Sequence, residues 1–364
     1  MKAGIVGLPN VGKSTLFNCL SNAKAQSANF PFCTIEPNIG VVNVPDPRLE
    51  KLESLVNPER VIPATVEIVD IAGLVKGASK GEGLGNQFLG NIRETDAIIH
   101  VLRCFDNDNI VHVDGSIDPI RDKETIDIEL QLKDLETLEK KLDKIKRASR
   151  TGNKEAQKEE TILIKLKEGL EAGLSIRAIE VSEDDREVFV KPLQFITDKP
   201  VLYVCNVNED AAVGGNEHVD RVKEAVASEN AEVIILAVGT EADITELEDY
   251  EERQLFLQDM GLEEAGAAVL IRAAYKLLNQ QTYFTAGVKE VRAWTIPIGS
   301  TAPQAAGVIH TDFEKGFIRA EVIKYDDYIA YGSEAKVKEA GKLGVEGKTY
   351  VVSDGDVMHF LFNV

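Results

Sequence analysis

Short apolar runs alternate with glycine-rich or helical stretches in two parts of the chain, residues 1–122 and residues 199–278. Each run is long enough for one buried strand. The runs lie at residues 2–6, 65–69, 97–102, 201–205 and 233–236. Strands that alternate with helices are typical of a mostly parallel sheet covered on both faces. We therefore predict a single α/β domain built from both parts of the chain.

The apolar spacing is different in residues 123–198, between the two parts of this predicted domain. Apolar residues there recur at intervals of three, four and seven, which is the spacing of a coiled-coil seam. A turn-like cluster at residues 149–153 divides them into two groups. The groups are Ile128, Leu135, Leu138, Leu142 and Ile145, and then Leu163, Leu166, Leu170 and Leu174. The pattern predicts an antiparallel helical hairpin inserted into the α/β domain.

Residues 279–364 have a third pattern, in which strand-like runs outnumber helices. The runs lie at residues 282–284, 291–296, 317–323, 349–352 and 357–362, with one short helix expected near residues 304–309. A longer helix at residues 263–280, rich in alanine and leucine, is expected to connect this part to the rest. We predict a small α+β domain at the C-terminus.

Composition and charge narrow the class of protein. The 364 residues are 44% hydrophobic and 28% charged, as is usual for a globular protein. No run approaches the ~18 apolar residues of a membrane span, and the N-terminus has no charged-then-apolar leader. The four cysteines lie far apart, with no C-x-x-C pair. We expect no membrane association, no zinc site or disulfide framework, and a cytoplasmic location.

The net charge of −20 opposes general adhesion to nucleic acid. One local cluster, at the predicted tip of the hairpin, has the opposite charge and includes a single acid, Asp143. Its basic members are Lys140, Lys141, Lys144, Lys146, Arg147, Arg150 and Lys154. Two interpretations remain open: a surface that binds the phosphates of RNA, or the solvated face of a helix.

The clearest chemical motif is the segment Gly7–Thr15, whose sequence GLPNVGKST fits the phosphate-binding pattern G-x-x-x-x-G-K-[ST]. A predicted strand precedes it and a predicted helix follows it, as the pattern requires. In that geometry Lys13 reaches the β- and γ-phosphates and Ser14 supplies a hydroxyl to Mg²⁺. The alternative is a glycine-containing turn that matches by chance. We predict a nucleotide site formed by Asn10, Val11, Gly12, Lys13, Ser14 and Thr15.

Two further segments complete the predicted phosphate and metal site. Asp70 and Gly73 form a D-x-x-G motif directly after a predicted strand, where the carboxylate can hold Mg²⁺ and the glycine N–H can reach a γ-phosphate. Thr34, in the loop before that strand, has the position of a switch threonine that completes Mg²⁺ coordination; the alternative is a surface threonine. The predicted metal ligands are Ser14, Thr34 and Asp70.

The position after D-x-x-G, where many GTPases have a water-orienting glutamine, holds Leu74. Leucine can neither donate nor accept a hydrogen bond, so another group must orient the water. His112, in the loop after a predicted strand, is the candidate, because neutral imidazole can position or deprotonate water. The alternative is a plain surface histidine. His100 lies inside an apolar strand and is predicted to be a core histidine.

The base-reading motif departs from the guanine-specific N-K-x-D and is Asn206-Val207-Asn208-Glu209. Val207 removes the lysine stem that would cover the base, and Glu209 is one methylene too long for the bidentate contact with guanine. The amide of Asn206 suits N6 and N7 of adenine. We predict ATP in preference to GTP, with Asn206, Val207 and Glu209 at the base.

Together these motifs resemble one family, the Obg-related YchF proteins, also called Obg-like ATPases. The resemblance covers essentially the whole chain. It is carried by GLPNVGKST (7–15), PFCT (31–34), DIAGLVKGA (70–78), NVNE (206–209), VRAWT (291–295) and HTDFEKGF (310–317). The predicted C-terminal domain is similar to the ubiquitin-like TGS module.

The resemblance implies an OBG-type G domain that hydrolyses ATP and tolerates GTP, with Leu74 as the family's hydrophobic substitute for glutamine. His112 matches the family's hydrolytic histidine, so His112 and Lys13 are the expected catalytic residues. Asn10 matches an asparagine that binds K⁺ in related cation-activated enzymes. The family also associates with ribosomes, here expected on the large subunit, and with RNA through the hairpin and the TGS domain.

Two functional classes remain. In the first, ATP turnover resets a ribosome-associated switch. In the second, the protein is a binding module that regulates translation, in which nucleotide stabilises one conformation and hydrolysis is incidental. Mg²⁺-dependent turnover, and its response to ribosomes, separates the two.

Overall fold

The computed structural model describes residues 1–22, 39–71, 84–107, 109–113, 115–229, 231–247 and 249–363. The strands are β1 Lys2–Val6, β2 Ile39–Asn43, β3 Val61–Ile62, β4 Thr65–Asp70, β5 Ala97–Arg103, β6 Val201–Asn206, β7 Glu232–Leu236, β8 Gln280–Ala286, β9 Val291–Pro297, β10 Phe317–Ile323, β11 Gly344–Glu346 and β12 Val357–Phe362. The α-helices are α1 Lys13–Asn22, α2 Pro47–Val56, α3 Leu84–Arg93, α4 Pro119–Arg150, α5 Lys154–Glu171, α6 Glu183–Asp185, α7 Glu217–Val226, α8 Val238–Glu246, α9 Tyr250–Asp259, α10 Gly266–Leu277, α11 Ala302–Ile309, α12 Thr311–Lys315, α13 Tyr325–Tyr331 and α14 Glu334–Glu339.

The first sheet has the strand order β2-β4-β1-β5-β6-β7. Strand β1 lies between β4 and β5 and is parallel to both, and β5, β6 and β7 continue the parallel arrangement. Every residue of β5 and β6 is buried, as expected for strands covered on both faces. The predicted α/β fold is therefore confirmed, and all five predicted strands are present. Strand β2 was not predicted.

The chain divides into two compact units, one of Met1–Val41 and Glu67–Leu270 and one of Val42–Val66 and Ile271–Val364. The first unit contains most of the first sheet and the helical hairpin. This grouping differs from the sequence-based boundaries, because residues 42–66 lie with the C-terminal unit. There β3 pairs in parallel with β9, and α2 packs against β8 and β9.

The predicted hairpin is present as α4 and α5, joined at residues 151–153. Leu138 and Leu142 of α4 pack against Leu163, Leu166 and Leu170 of α5 in one buried cluster. The predicted seam also included Ile128 and Leu174, but these two side chains are exposed. Short 3₁₀, α and π helices between residues 176 and 193 lead back to the sheet.

The C-terminal unit has its own sheet, in the order β11-β10-β12-β8-β9-β3, with α11 packed against β9 and β10. The predicted α+β composition is confirmed, and the likeness to a TGS module stays a prediction. The strand predicted at residues 349–352 was wrong: Val351 forms only an isolated bridge with Thr301, and β11 lies earlier. Within the described residues, no helix is both long and apolar enough to cross a membrane.

Candidate nucleotide-binding site

The loop of the phosphate-binding motif connects β1 to α1, which begins at Lys13. The Lys13 ammonium folds back over the loop and donates to the backbone oxygen of Leu8 at 3.0 Å. Lys13 is only 7% exposed, and this burial lowers its pKa, while the nearby Asp70 carboxylate acts in the opposite direction. The loop therefore holds a poorly solvated cation at the N-terminus of a helix, which is an arrangement suited to an anion.

Gly12 allows this loop to approach the base-reading segment closely. Its φ is +100°, and a Cβ atom built on it would lie 2.5 Å from Nδ2 of Asn206. Gly7 makes a similar approach on the other side, where a Cβ would lie 2.6 Å from the backbone oxygen of Val101. Both contacts are too short for any side chain, so both glycines are required by packing.

Asp70 and Ser14 meet at the end of β4 as predicted. The Ser14 hydroxyl donates to Oδ2 of Asp70 at 3.3 Å, and Oδ1 of Asp70 is buried without a hydrogen-bond partner among the described residues. Burial raises the pKa of Asp70, and Lys13 and Ser14 counteract the rise. A hydroxyl beside a carboxylate with an uncompensated oxygen fits Mg²⁺, which takes one or two protein oxygens and keeps several waters. The other predicted participants, Thr34, Gly73 and Leu74, lie outside the described residues.

Asn206 connects the two loops of the site. Its amide Nδ2 donates to the backbone oxygen of Val11 at 2.9 Å, and its Oδ1 accepts from the backbone N–H of Val238 at 3.1 Å. The side chain is 5% exposed, so the structure uses this amide to join the phosphate loop to the start of α8. The sequence had instead predicted that this amide contacts the adenine base.

Val207 and Glu209 have different environments beside Asn206. The Val207 side chain is buried, and its backbone N–H bonds to the oxygen of Leu236 at 3.0 Å. Glu209 is exposed at the start of a short 3₁₀ helix. At the mouth of the phosphate loop, Ser14 and Thr15 are likewise exposed.

The loop after β5, which carries His112, is fixed at both ends. Arg103, almost fully buried at the end of β5, donates to the backbone oxygens of Asn107 and Ile110 at 3.1 and 2.9 Å. Asn10 of the phosphate loop donates from Nδ2 to the oxygen of Val111 at 3.1 Å. The candidate histidine is therefore next in sequence to a residue that the phosphate loop contacts.

The imidazole of His112 is buried, with Nε2 2.8 Å from Oδ2 of Asp122. It is therefore not a plain surface histidine. His100 lies in the core as predicted, 5.5 Å from the ring of Tyr203, and burial lowers its pKa to about 3 and keeps it neutral. Its Nε2 has no hydrogen-bond partner in the part of the chain that the structure describes.

Sequence reasoning missed Asp122 and Arg103. Arg103 had one visible signal, a charged residue closing an otherwise apolar strand. Asp122 had none, because its neighbours Asp118 and Pro119 read only as the start of a helix, and the structure confirms Asp118 as the N-cap of α4.

Two family models match the chain. Residues 2–165 match the model described as a 50S ribosome-binding GTPase. Residues 280–363 match the YchF-GTPase_C model, described as a protein of unknown function.

Similar proteins cover the whole chain. The Ribosome-binding ATPase YchF of Escherichia coli O157:H7 is 58% identical over 363 residues, which cover 100% of this chain and 99% of that protein. The protein of the same name from Bacillus subtilis strain 168 is 55% identical over 366 residues, with 100% of both chains covered. The solved structure of the Schizosaccharomyces pombe YchF GTPase matches with a TM-score of 0.90 and 39% identity, over 99% of this chain and 97% of that one.

Proposed function

Because the chain belongs to the YchF family, we propose that it is a Mg²⁺-dependent nucleoside-triphosphate hydrolase that prefers ATP to GTP and acts as a ribosome-associated switch. The observation that carries this proposal is the group formed by Lys13, Ser14 and Asp70 at the end of two parallel strands. A cation, a hydroxyl and a carboxylate with one uncompensated oxygen are the parts that a Mg²⁺–triphosphate needs. We also propose that the protein is cytoplasmic, because it associates with ribosomes.

Binding changes the partners of these groups. Lys13 leaves the oxygen of Leu8 and donates to the β- and γ-phosphates, which replaces one neutral acceptor by charged ones. Ser14 and Asp70, together with Thr34, would hold Mg²⁺, which when bound would neutralise charge on the phosphates. The N–H groups of residues 10–15 and of Gly73 complete the phosphate contacts. We propose Asn10 as a K⁺ ligand, because its Nδ2 bonds to Val111 while its oxygen Oδ1 can face a cation.

Preference for ATP follows from two side chains at the base. Guanine specificity requires a lysine stem over the ring and an aspartate that accepts from N1–H and N2–H₂. Val207 is buried and cannot cover the ring, and Glu209 is exposed on a short helix. Adenine presents an acceptor at N1, and therefore needs no carboxylate there.

Hydrolysis is assigned to His112. The residue is within one peptide of the Val111 oxygen that Asn10 contacts, so a change at the phosphate loop reaches it directly. The ring faces Asp122 through Nε2 in this structure, and we assign the attacking water to its other nitrogen, Nδ1. A positioned general base contributes ~10²–10⁴ in rate, so His112→Ala should lower turnover by that factor and leave nucleotide affinity nearly unchanged.

Turnover of ATP and GTP, each titrated with Mg²⁺ and with or without ribosomal subunits, tests the proposal. We expect ATP to be preferred, ribosomes to alter its turnover, and Lys13→Ala to lose productive binding. A tenfold or greater preference for GTP, about 1.4 kcal/mol, would refute the base assignment. Turnover near the parent rate in Lys13→Ala would refute the site. Binding without Mg²⁺-dependent turnover would instead favour the alternative of a translation-regulating binding module.

The tip of the hairpin is the proposed contact with RNA, and the structure divides its basic residues into two groups. Lys140, Lys141 and Lys146 form ion pairs with Glu136, Glu159 and Asp143. Glu159 was overlooked in the sequence because it reaches the cluster from α5. The basic tip surface is the remaining exposed group, for which the described residues show no ion pair: Lys144, Arg147, Arg150 and Lys154.

The two groups offer a matched comparison. We expect Lys144, Arg147 and Arg150 changed together to Gln to weaken ribosome co-sedimentation and to reduce its dependence on log salt by roughly 2–3 units, since each phosphate contact contributes about one. The control changes Lys140, Lys141 and Lys146 to Gln, with the same loss of charge. Equal salt slopes in the two variants would reject the basic tip surface. We also propose that the ribosomal contact is with the large subunit and that the TGS-like unit contacts RNA.

A further inference from the structure

Asp122 is the polar partner of His112 and is itself deeply buried. Its Oδ2 lies 2.8 Å from Nε2 of His112, and the two side chains are 2% and 4% exposed. Its Oδ1 accepts from Nη2 of Arg121 at 3.1 Å. The buried Arg103 adds a second positive charge from β5. Positively charged groups from its own helix and from the sheet therefore lie next to the carboxylate.

A carboxylate in this position determines which nitrogen of neutral histidine is basic. Nε2 must carry the proton to donate to Oδ2 of Asp122, so the lone pair is on Nδ1. The same contact orients the ring and stabilises the imidazolium that forms when Nδ1 takes a proton from water. This is the physical role of a carboxylate behind a catalytic histidine in general.

The first turn of α4 holds the carboxylate in place. Asp118 caps the helix by accepting from the backbone N–H groups of Ile120 and Arg121. Lys123, the residue after Asp122, donates to Asp127 and pairs with Glu229, both at 2.7 Å. The position of Asp122 is therefore determined by the helix start on one side and by a partly buried ion pair on the other.

We propose that Asp122 is a positioning residue for His112 in nucleotide hydrolysis. The proposal rests on the proposed role of His112. Asp122 acts on the reaction only through the imidazole, so its removal should lower kcat and leave KM and nucleotide affinity unchanged. It should have no effect once the imidazole is absent.

The test compares Asp122→Asn, His112→Ala and the double variant in the full-length protein. We expect Asp122→Asn to lower kcat about 10- to 100-fold, a part of the contribution of a positioned base, and to add no loss in the His112→Ala background. Thr125→Ala removes a hydrogen bond to the backbone oxygen of Arg121 in the same part of α4 without touching the histidine, and it serves as the structural control, with kcat near the parent value. An equal loss of kcat in both backgrounds would overturn the proposal.

A second measurement needs no variant at Asp122. The ¹⁵N chemical shifts of His112 in the intact protein, assigned by comparison with His112→Ala, should show a protonated Nε2 and an unprotonated Nδ1 in the neutral ring. The opposite tautomer would overturn the proposal even if Asp122→Asn fails to fold. Parent turnover in Asp122→Asn with slow turnover in His112→Ala would reject only the positioning role. Parent turnover in His112→Ala would reject the role of His112 itself.

Discussion

Replacing Asn206 by Ala should weaken ATP and GTP binding equally. The change removes the donor to the oxygen of Val11 and the acceptor for the N–H of Val238, and leaves two buried backbone groups without partners. An unsatisfied buried group costs about 1–3 kcal/mol, so two of them cost the site roughly 2–6 kcal/mol. Because these two bonds join the phosphate loop to α8, their loss should disturb the conformation of the phosphate loop, which both nucleotides need.

Titration of both nucleotides with Mg²⁺ measures this effect. We expect both dissociation constants to rise tenfold or more, about 1.4 kcal/mol or more, with their ratio unchanged. Asn208→Ala is the control, because its side chain is exposed and makes one long bond to the oxygen of Asp106 at 3.4 Å. Surface changes of this kind alter free energies by about 0.5 kcal/mol or less, so the control should bind within roughly twofold of the parent.

The alternative is that the Asn206 amide reads adenine directly. In that case Asn206→Ala would weaken ATP alone and change the ATP-to-GTP ratio by tenfold or more. That result would refute the bridging role. Unchanged affinity for both nucleotides would refute it as well, since the two loops would then hold their geometry without the amide.

Two other predictions concern the phosphate loop. Gly12→Ala should cost about 1–2 kcal/mol for its positive φ alone and more for the clash with Asn206, and it should lower nucleotide affinity at least tenfold. The control is Gly152→Ala, with φ +84° and no atom within 4 Å of the new Cβ, which should destabilise the protein without changing nucleotide affinity. Equal nucleotide affinities in the two variants would contradict the packing argument. Asp70→Asn should weaken Mg²⁺–nucleotide binding yet raise the melting temperature of the nucleotide-free protein at neutral pH. Burial raises the pKa of Asp70, so the parent loses stability as the pH rises through the range in which this carboxyl group ionises. The difference in melting temperature between the variant and the parent should therefore shrink as the pH falls. A lower melting temperature for the variant than for the parent at pH 7 would contradict this reasoning.

Five strands of the first sheet, all except β2, could be predicted because each is a short apolar run. The hairpin could be predicted because its seam repeats every three or four residues. The run at residues 349–352 misled the prediction because it is equally apolar. Its backbone groups bond to residues at and just before the start of α11: the Ala302 N–H donates to the oxygen of Tyr350, and the Val352 N–H donates to the oxygen of Ser300. Nothing local distinguishes such a segment from a strand.

The candidate site, like the fold, could be predicted only in part from the sequence. Lys13, Ser14 and Asp70 follow from local motifs because phosphate and Mg²⁺ chemistry restricts the residues that can bind them. The partners of Asn206 do not follow, because Val11 lies 195 residues away and the contact is made by backbone atoms. Asp122 is close to His112 in sequence, but a carboxylate ten residues on becomes a partner only when the loop folds back onto the first turn of a helix.

That first turn connects the site to the rest of the hairpin. Helix α4 is a single helix of 32 residues, roughly 48 Å long, with Asp122 in its first turn and Arg147 and Arg150 in its last. Its base is fixed by Glu229, which pairs with Lys123 and Arg177 and accepts from the hydroxyl of Tyr203. Any displacement of the helix base must therefore break either this network or the contact with His112.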